Sequence, residues 1–70
     1  MTNAQETFLA NLTTRTATAL LAKFDNAPAI AFDKSDDAYY AFCKAWELVN
    51  DGEYIQRVNG GARYNFISMN

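Results

Sequence analysis

The chain has 70 residues, no histidine and a single cysteine; eight acidic residues against six basic ones leave it at net −2, with a pI near 4.7. That length gives one small domain, 1–70. A lone Cys43 without histidine excludes an intrachain disulfide and a cysteine–histidine zinc site.

Half of the residues are apolar, the composition of a folded chain and not of a disordered one. The acidic balance runs against a general nucleic-acid binder, which carries a basic patch and a high pI. A chain this short buries only about 60% of the surface its unfolded form exposes, and its core supplies at most about 3–5 kcal/mol of net stability. With disulfide and zinc excluded, a protein partner or association into a homodimer is the remaining external support. The opening "MTNAQETFLANL" has neither the basic region nor the unbroken apolar stretch of a secretory signal. No run approaches the ~20 apolar residues of a membrane span, and a lone free thiol fits a reducing cytoplasm. No cofactor or metal is expected.

Residues 3–24 read as one helix. Asn3 with Glu6 three residues later resembles a capping box, and Phe8, Leu12, Ala19 and Leu20 follow helical spacing. The weak point is "TTRTAT", 13–18, where four β-branched threonines lower helix propensity; the sequence does not decide whether the helix runs on, bends or breaks there. Pro28 cannot continue this helix and pushes Ala27 towards extended geometry. "AIAF", 29–32, then reads as a short strand at a sheet edge.

Residues 35–50 give the clearest helix. Ser35 is a good N-cap, Asp36 and Asp37 complement the positive end of the dipole, and Gly52 stops the chain beyond it. Ala38, Ala41, Phe42, Ala45, Leu48 and Val49 fall in one stripe. Tyr39, Cys43 and Trp46 lie on one flank of it, and Tyr40, Lys44 and Glu47 on the outer face.

Two alternating runs, 53–58 and 62–68, flank Asn59-Gly60-Gly61 and read as a β-hairpin. A two-residue turn at Asn59-Gly60 places Ile55, Tyr64 and Phe66 on one face and Tyr54, Val58 and Ile67 on the other. A three-residue loop gathers Tyr54, Val58, Ala62, Tyr64 and Phe66 on a single face, with Arg57 opposite Arg63 on the outside. The second is preferred because a small sheet covered by helices needs one apolar face. The expected fold is α+β in the order α-β-α-β-β, a small three-stranded, mostly antiparallel sheet with its C-terminal hairpin packed against two helices.

Catalytic chemistry is not expected. Cys43 has no histidine to activate it, and Lys44, next in sequence, points about 100° away on a helix. The carboxylates Asp33, Asp36 and Asp37 cluster at a helix start, where capping and solvation account for them. Gly60-Gly61 leads into a strand, unlike a phosphate loop. Three features could instead meet a protein partner. Asp33, Asp36 and Asp37, with Asp25, offer a negative patch. The aromatics Tyr39, Tyr40 and Trp46 are of the type that dominates interface energetics. Arg57 and Arg63 offer an outward basic pair.

"WELVNDGEYIQRVNGGARYNF", 46–66, resembles the passage from recognition helix to wing in winged-helix proteins, with Leu48, Gly52, Ile55 and Arg57 at its apolar, stop, apolar and basic positions. That resemblance implies a nucleic-acid-binding or transcription-regulating domain using hairpin 53–68 as a wing. The chain departs from the pattern: 33–50 holds one good helix before the hairpin, and that helix carries Asp36, Asp37 and Glu47 against Lys44. In size and composition the chain is similar to phage-encoded inhibitors of host machinery, anti-CRISPR proteins among them. The reading preferred from sequence is therefore a non-enzymatic, acidic protein-binding module that inhibits or regulates a larger protein; nucleic-acid binding through the wing is the alternative.

Overall fold

The computed structural model describes residues 2–58 and 63–68. Four helices precede a hairpin: α1 (Asn3–Ala10), α2 (Thr14–Lys23), α3 (Pro28–Lys34), α4 (Asp36–Val49), β1 (Tyr54–Val58) and β2 (Arg63–Ile67). The fold is α+β, but its sheet has two antiparallel strands and not the expected three.

The single helix expected over 3–24 is two. Thr2 caps α1: its side chain accepts from the Gln5 N–H, and the Gln5 side chain accepts from the Thr2 N–H. The capping box therefore sits one residue before the Asn3/Glu6 box expected. A second box starts α2, where Thr13 Oγ1 accepts from Thr16 N–H at 3.2 Å and Thr16 Oγ1 from Thr13 N–H at 2.9 Å. The threonines that weaken a continuous helix thus supply the start of a new one. Helix α2 ends in a Schellman turn, with Asn26 N–H on Leu21 C=O and Asp25 N–H on Ala22 C=O. This turn holds Asp25 and Asn26 at φ of 54° and 55°, the left-handed region that glycine enters most readily.

The strand expected over 29–32 is α3. Pro28 occupies the first helical turn, after an extended Ala27. At that position proline gives up a hydrogen bond the helix does not need and brings a φ already suited to it. Helix α4 begins as expected: Ser35 Oγ accepts from Ala38 N–H at 3.0 Å. It ends in another Schellman bond, Gly52 N–H to Glu47 C=O at 2.8 Å. Asp51 is left-handed there, at φ 53°, and Gly52 follows it at φ 87°.

The hairpin register pairs Ile55 with Phe66, Arg57 with Tyr64, and Val58 with Arg63. The expected Arg57–Arg63 pair is therefore absent, and the two arginines lie on opposite faces. The faces sort as the two-residue turn required, with Ile55, Tyr64 and Phe66 together. The turn residues, 59–62, lie outside the described residues.

The core is Ala17, Leu21, Phe24, Ala31, Phe42 and Ala45. Helix α4 is its axis, with α2, α3 and β1 all packed against it. The alanines on α2, α3 and α4 allow close approach around Phe42, which is fully buried. Leu48, expected in the buried stripe, is exposed. Helix α1 stands apart: none of its residues is buried, and it packs substantially against no other element.

Candidate functional site

Two aromatic chains fasten the hairpin to the helices. In the first, Phe24 meets Phe42 edge-on at 6.3 Å, Phe42 stacks on Trp46 at 5.9 Å, and Trp46 meets Phe66 at 4.8 Å. Trp46 Nε1–H donates to Glu53 Oε1 at 2.8 Å, giving the indole its polar partner. In the second, Arg57 lies 3.8 Å from the centroid of the Phe32 ring, Phe32 meets Tyr39 edge-on at 5.4 Å, and Tyr39 meets Tyr64 at 6.1 Å. Tyr64 is the cross-strand neighbour of Arg57, so both ends of this chain lie on the same face of the hairpin.

These contacts divide the residues singled out from sequence. Trp46, Tyr39 and Arg57 join hairpin to helices. Arg63 is exposed on the opposite sheet face from Arg57, so no paired arginine surface exists. Asp33 is exposed on α3. Tyr40, 49% exposed on α4, carries the Lys44 ammonium 5.5 Å from its ring centroid.

Tyr40, Asp36 and Asp37 belong to a groove of about 850 Å³ between α1 and α4. Its apolar lining comes from Leu9, Ala10, Tyr39, Tyr40 and Cys43. Its charged lining is Glu6, Asp36 and Asp37 against Lys44. Asp33 and Asp25 do not line it, so the acidic patch is redrawn: it takes in Glu6 of α1 and leaves out the residues flanking α3. On the other side of α1 a smaller groove of about 440 Å³ is lined by Phe8, Leu20, Phe24, Ala38 and Ala41 with Lys23 and Lys34, and Leu9 and Asp37 are common to both. Helix α1 thus forms a ridge between two apolar depressions.

Sequence reasoning missed the α1 wall. Glu6, Leu9 and Ala10 fall inside the single helix expected over 3–24. The Asn11 side chain turning back to Thr7 C=O at 2.8 Å, just before the Thr13 cap, is the signal that marks the break.

The chemistry inside the groove is muted. Burial, then the neighbouring Cys43 to which it is hydrogen-bonded, then Tyr64 push the Tyr39 hydroxyl up to about 12, partly opposed by Arg57. Burial pushes the Cys43 thiol up, the Tyr39 hydrogen bond opposes this, and Glu47 adds to it. A thiol kept protonated is the reverse of what a nucleophile requires. Among the described residues no three His, Cys, Asp or Glu side chains are placed to hold a metal ion, and no helix is long and apolar enough to cross a membrane. Comparison of the chain with protein-family models, with curated proteins and with solved structures gave no match.

Proposed function

We propose that this chain is a non-enzymatic protein-binding module that engages its partner through the groove between α1 and α4. The observation that carries this reading is an apolar groove of about 850 Å³ with an exposed tyrosine and an acidic margin. Exposed aromatic surface of this kind supplies interface anchors, and the charged margin adds rate and partner choice. A 70-residue chain without activated catalytic groups acts sterically, occupying a surface its partner uses elsewhere; inhibition or regulation of a larger protein is the expected consequence. The free thiol of Cys43 fits a reducing cytoplasm.

Photo-crosslinking tests the reading. A benzophenone side chain at position 40, carried in native cells, is expected to give a discrete protein adduct that the same group at Gln56, on the other face of the hairpin, does not. Adducts equal at the two positions, or none at position 40, refute the reading.

One observation favours a second reading. The missing helix of the winged-helix pattern is supplied by α3, so that α2, α3 and α4 precede the hairpin. A DNA-binding wing requires affinity falling steeply with salt and weakening on Arg63→Ala. The acidic first turn of α4 and the engagement of Arg57 on Phe32 make this the second choice.

A further inference from the structure

We propose that the groove between α1 and α4 takes a basic amphipathic helix of the partner, with an arginine or lysine at the Asp36 end and apolar side chains laid over Leu9, Tyr39 and Tyr40. This rests on the reading of the groove as a protein-binding site and specifies its occupant.

The form of the occupant follows from the walls. Both are helices, whose backbone groups are bonded within themselves, so the groove has no strand edge to offer. An extended peptide entering it would lose water from its backbone and gain no ladder in exchange. A helix arrives with its backbone bonds already made and needs only an apolar floor for one face. A small molecule is a poorer fit, because such sites use convergent buried polar groups to fix orientation, and no unpartnered buried side-chain polar atom is present among the described residues.

The charge of the occupant follows from the lining. Glu6 and Asp36 contribute two carboxylates against the one ammonium of Lys44, with Asp37, which has a contact of its own, beside them. Asp36 and Asp37 lie in the first turn of α4, and Lys44 follows Asp36 by eight residues, about 12 Å along the axis. The apolar groove is therefore unevenly charged along its length, acidic at the Asp36 end and basic at the Lys44 end. The Lys44 Nζ lies 5.5 Å from the Tyr40 ring centroid, which places the groove's cation towards the end away from Asp36.

The test uses the isotope-labelled full chain and a blocked synthetic 14-residue helix with leucines at i, i+3, i+4 and i+7 flanked by arginines, read by amide shifts in NMR titration. Two companion peptides replace every arginine with glutamine or with glutamate. The arginine peptide is expected to give saturable shifts confined to 6–10 and 36–44. Glu6→Gln with Asp36→Asn, and separately Tyr40→Ala, are expected to weaken it about tenfold, the scale of a hot-spot residue. Lys44→Met is expected to tighten it severalfold, and Asp25→Asn, a loss of negative charge outside the groove, to leave it unchanged. Circular dichroism checks that each variant is folded.

Absence of saturable shifts in those segments overturns the proposal. So does an Asp25→Asn effect as large, per charge removed, as that of Glu6→Gln with Asp36→Asn, which would mean attraction by net charge alone. Equal binding of the glutamine peptide in the same segments overturns the basic occupant while leaving the groove as a protein site; failure of that wider reading shows instead as an empty crosslink at position 40.

Discussion

Phe42→Leu tests whether the core is organised as described. Phe42 is fully buried and touches Phe24 on one side and Trp46 on the other. Leucine retains an apolar side chain there but has no ring, so both aromatic contacts are lost. Each is worth about 0.5–1.5 kcal/mol beyond its buried area, giving an expected cost of roughly 1–3 kcal/mol. Against a reserve of about 3–5 kcal/mol that is a large fraction, though short of unfolding the chain. For a domain of this size each kcal/mol lowers Tm by about 4–8 °C, so a 2 kcal/mol loss lowers it by about 8–16 °C. Urea and thermal unfolding followed by circular dichroism and by fluorescence of the single Trp46 read the effect, and the fluorescence also reports the lost stacking. Phe8→Leu, at a half-exposed position on α1, is the control and should cost less than about 0.5 kcal/mol. A Phe42→Leu cost below that of Phe8→Leu would refute the placement of the core around α4.

Alkaline pH should weaken the fold. Tyr39 is raised from 10.0 to about 12, so the folded state holds a proton that the unfolded chain releases; the contribution is complete below pH 10 and is lost as pH rises towards 12. Cys43 shifts in the same direction. A urea midpoint falling over pH 9–12, with a shallower fall in Tyr39→Phe, is the expected result; an unchanged fall in that variant would show that other groups carry it. Asp25→Gly should stabilise the chain by up to about 1 kcal/mol, because it relieves a left-handed residue and removes a negative charge at the C-terminal end of α2; a lower unfolding midpoint contradicts this. Arg57→Met should cost about 1–2 kcal/mol by removing the cation from the Phe32 ring, and should raise the Tyr39 hydroxyl further, since Arg57 holds it down. A double-mutant cycle with Phe32→Leu measures the coupling, and additive losses would show that the two side chains act separately.

What was legible in the sequence was whatever local chemistry alone decides. Helix α4 has its cap in Ser35, its dipole partners in Asp36 and Asp37, and 14 residues over which the apolar period can be read. The hairpin was legible from alternation around a glycine pair. Helix α3 was not, because proline has two opposite meanings: it ends a preceding helix, and it starts a following one. Seven residues with apolar side chains at 29–32 do not show which period they follow. The break between α1 and α2 was half legible, since threonines that lower propensity also cap. The hairpin register was misjudged through Arg57. The demand for one wholly apolar face favoured the three-residue loop, but the helix-facing side holds Arg57, whose guanidinium lies over the Phe32 ring, together with Ile55 and Phe66. The α4 side of the groove, Asp36, Asp37, Tyr39 and Tyr40, could be named in advance. Its α1 side could not, because it depends on where the long helix breaks.

The position of α1 separates stability from recognition, and removing residues 1–11 tests that separation. None of its residues is buried, and Leu12 and Thr13, which respectively pack on the core and cap α2, are retained. The expected cost is below about 1 kcal/mol, as for surface changes that leave no cavity. Yet the deletion removes Glu6, Leu9 and Ala10, one whole wall of the groove, and should weaken the arginine peptide at least about tenfold. Phe42→Leu should do the opposite, lowering Tm while leaving the affinity of the folded chain unchanged. The two variants thus move different observables. If the truncated chain loses more than about 2 kcal/mol, α1 belongs to the core after all. If it keeps full affinity for the peptide, the recognition surface is α4 alone, and α1 has no part in it.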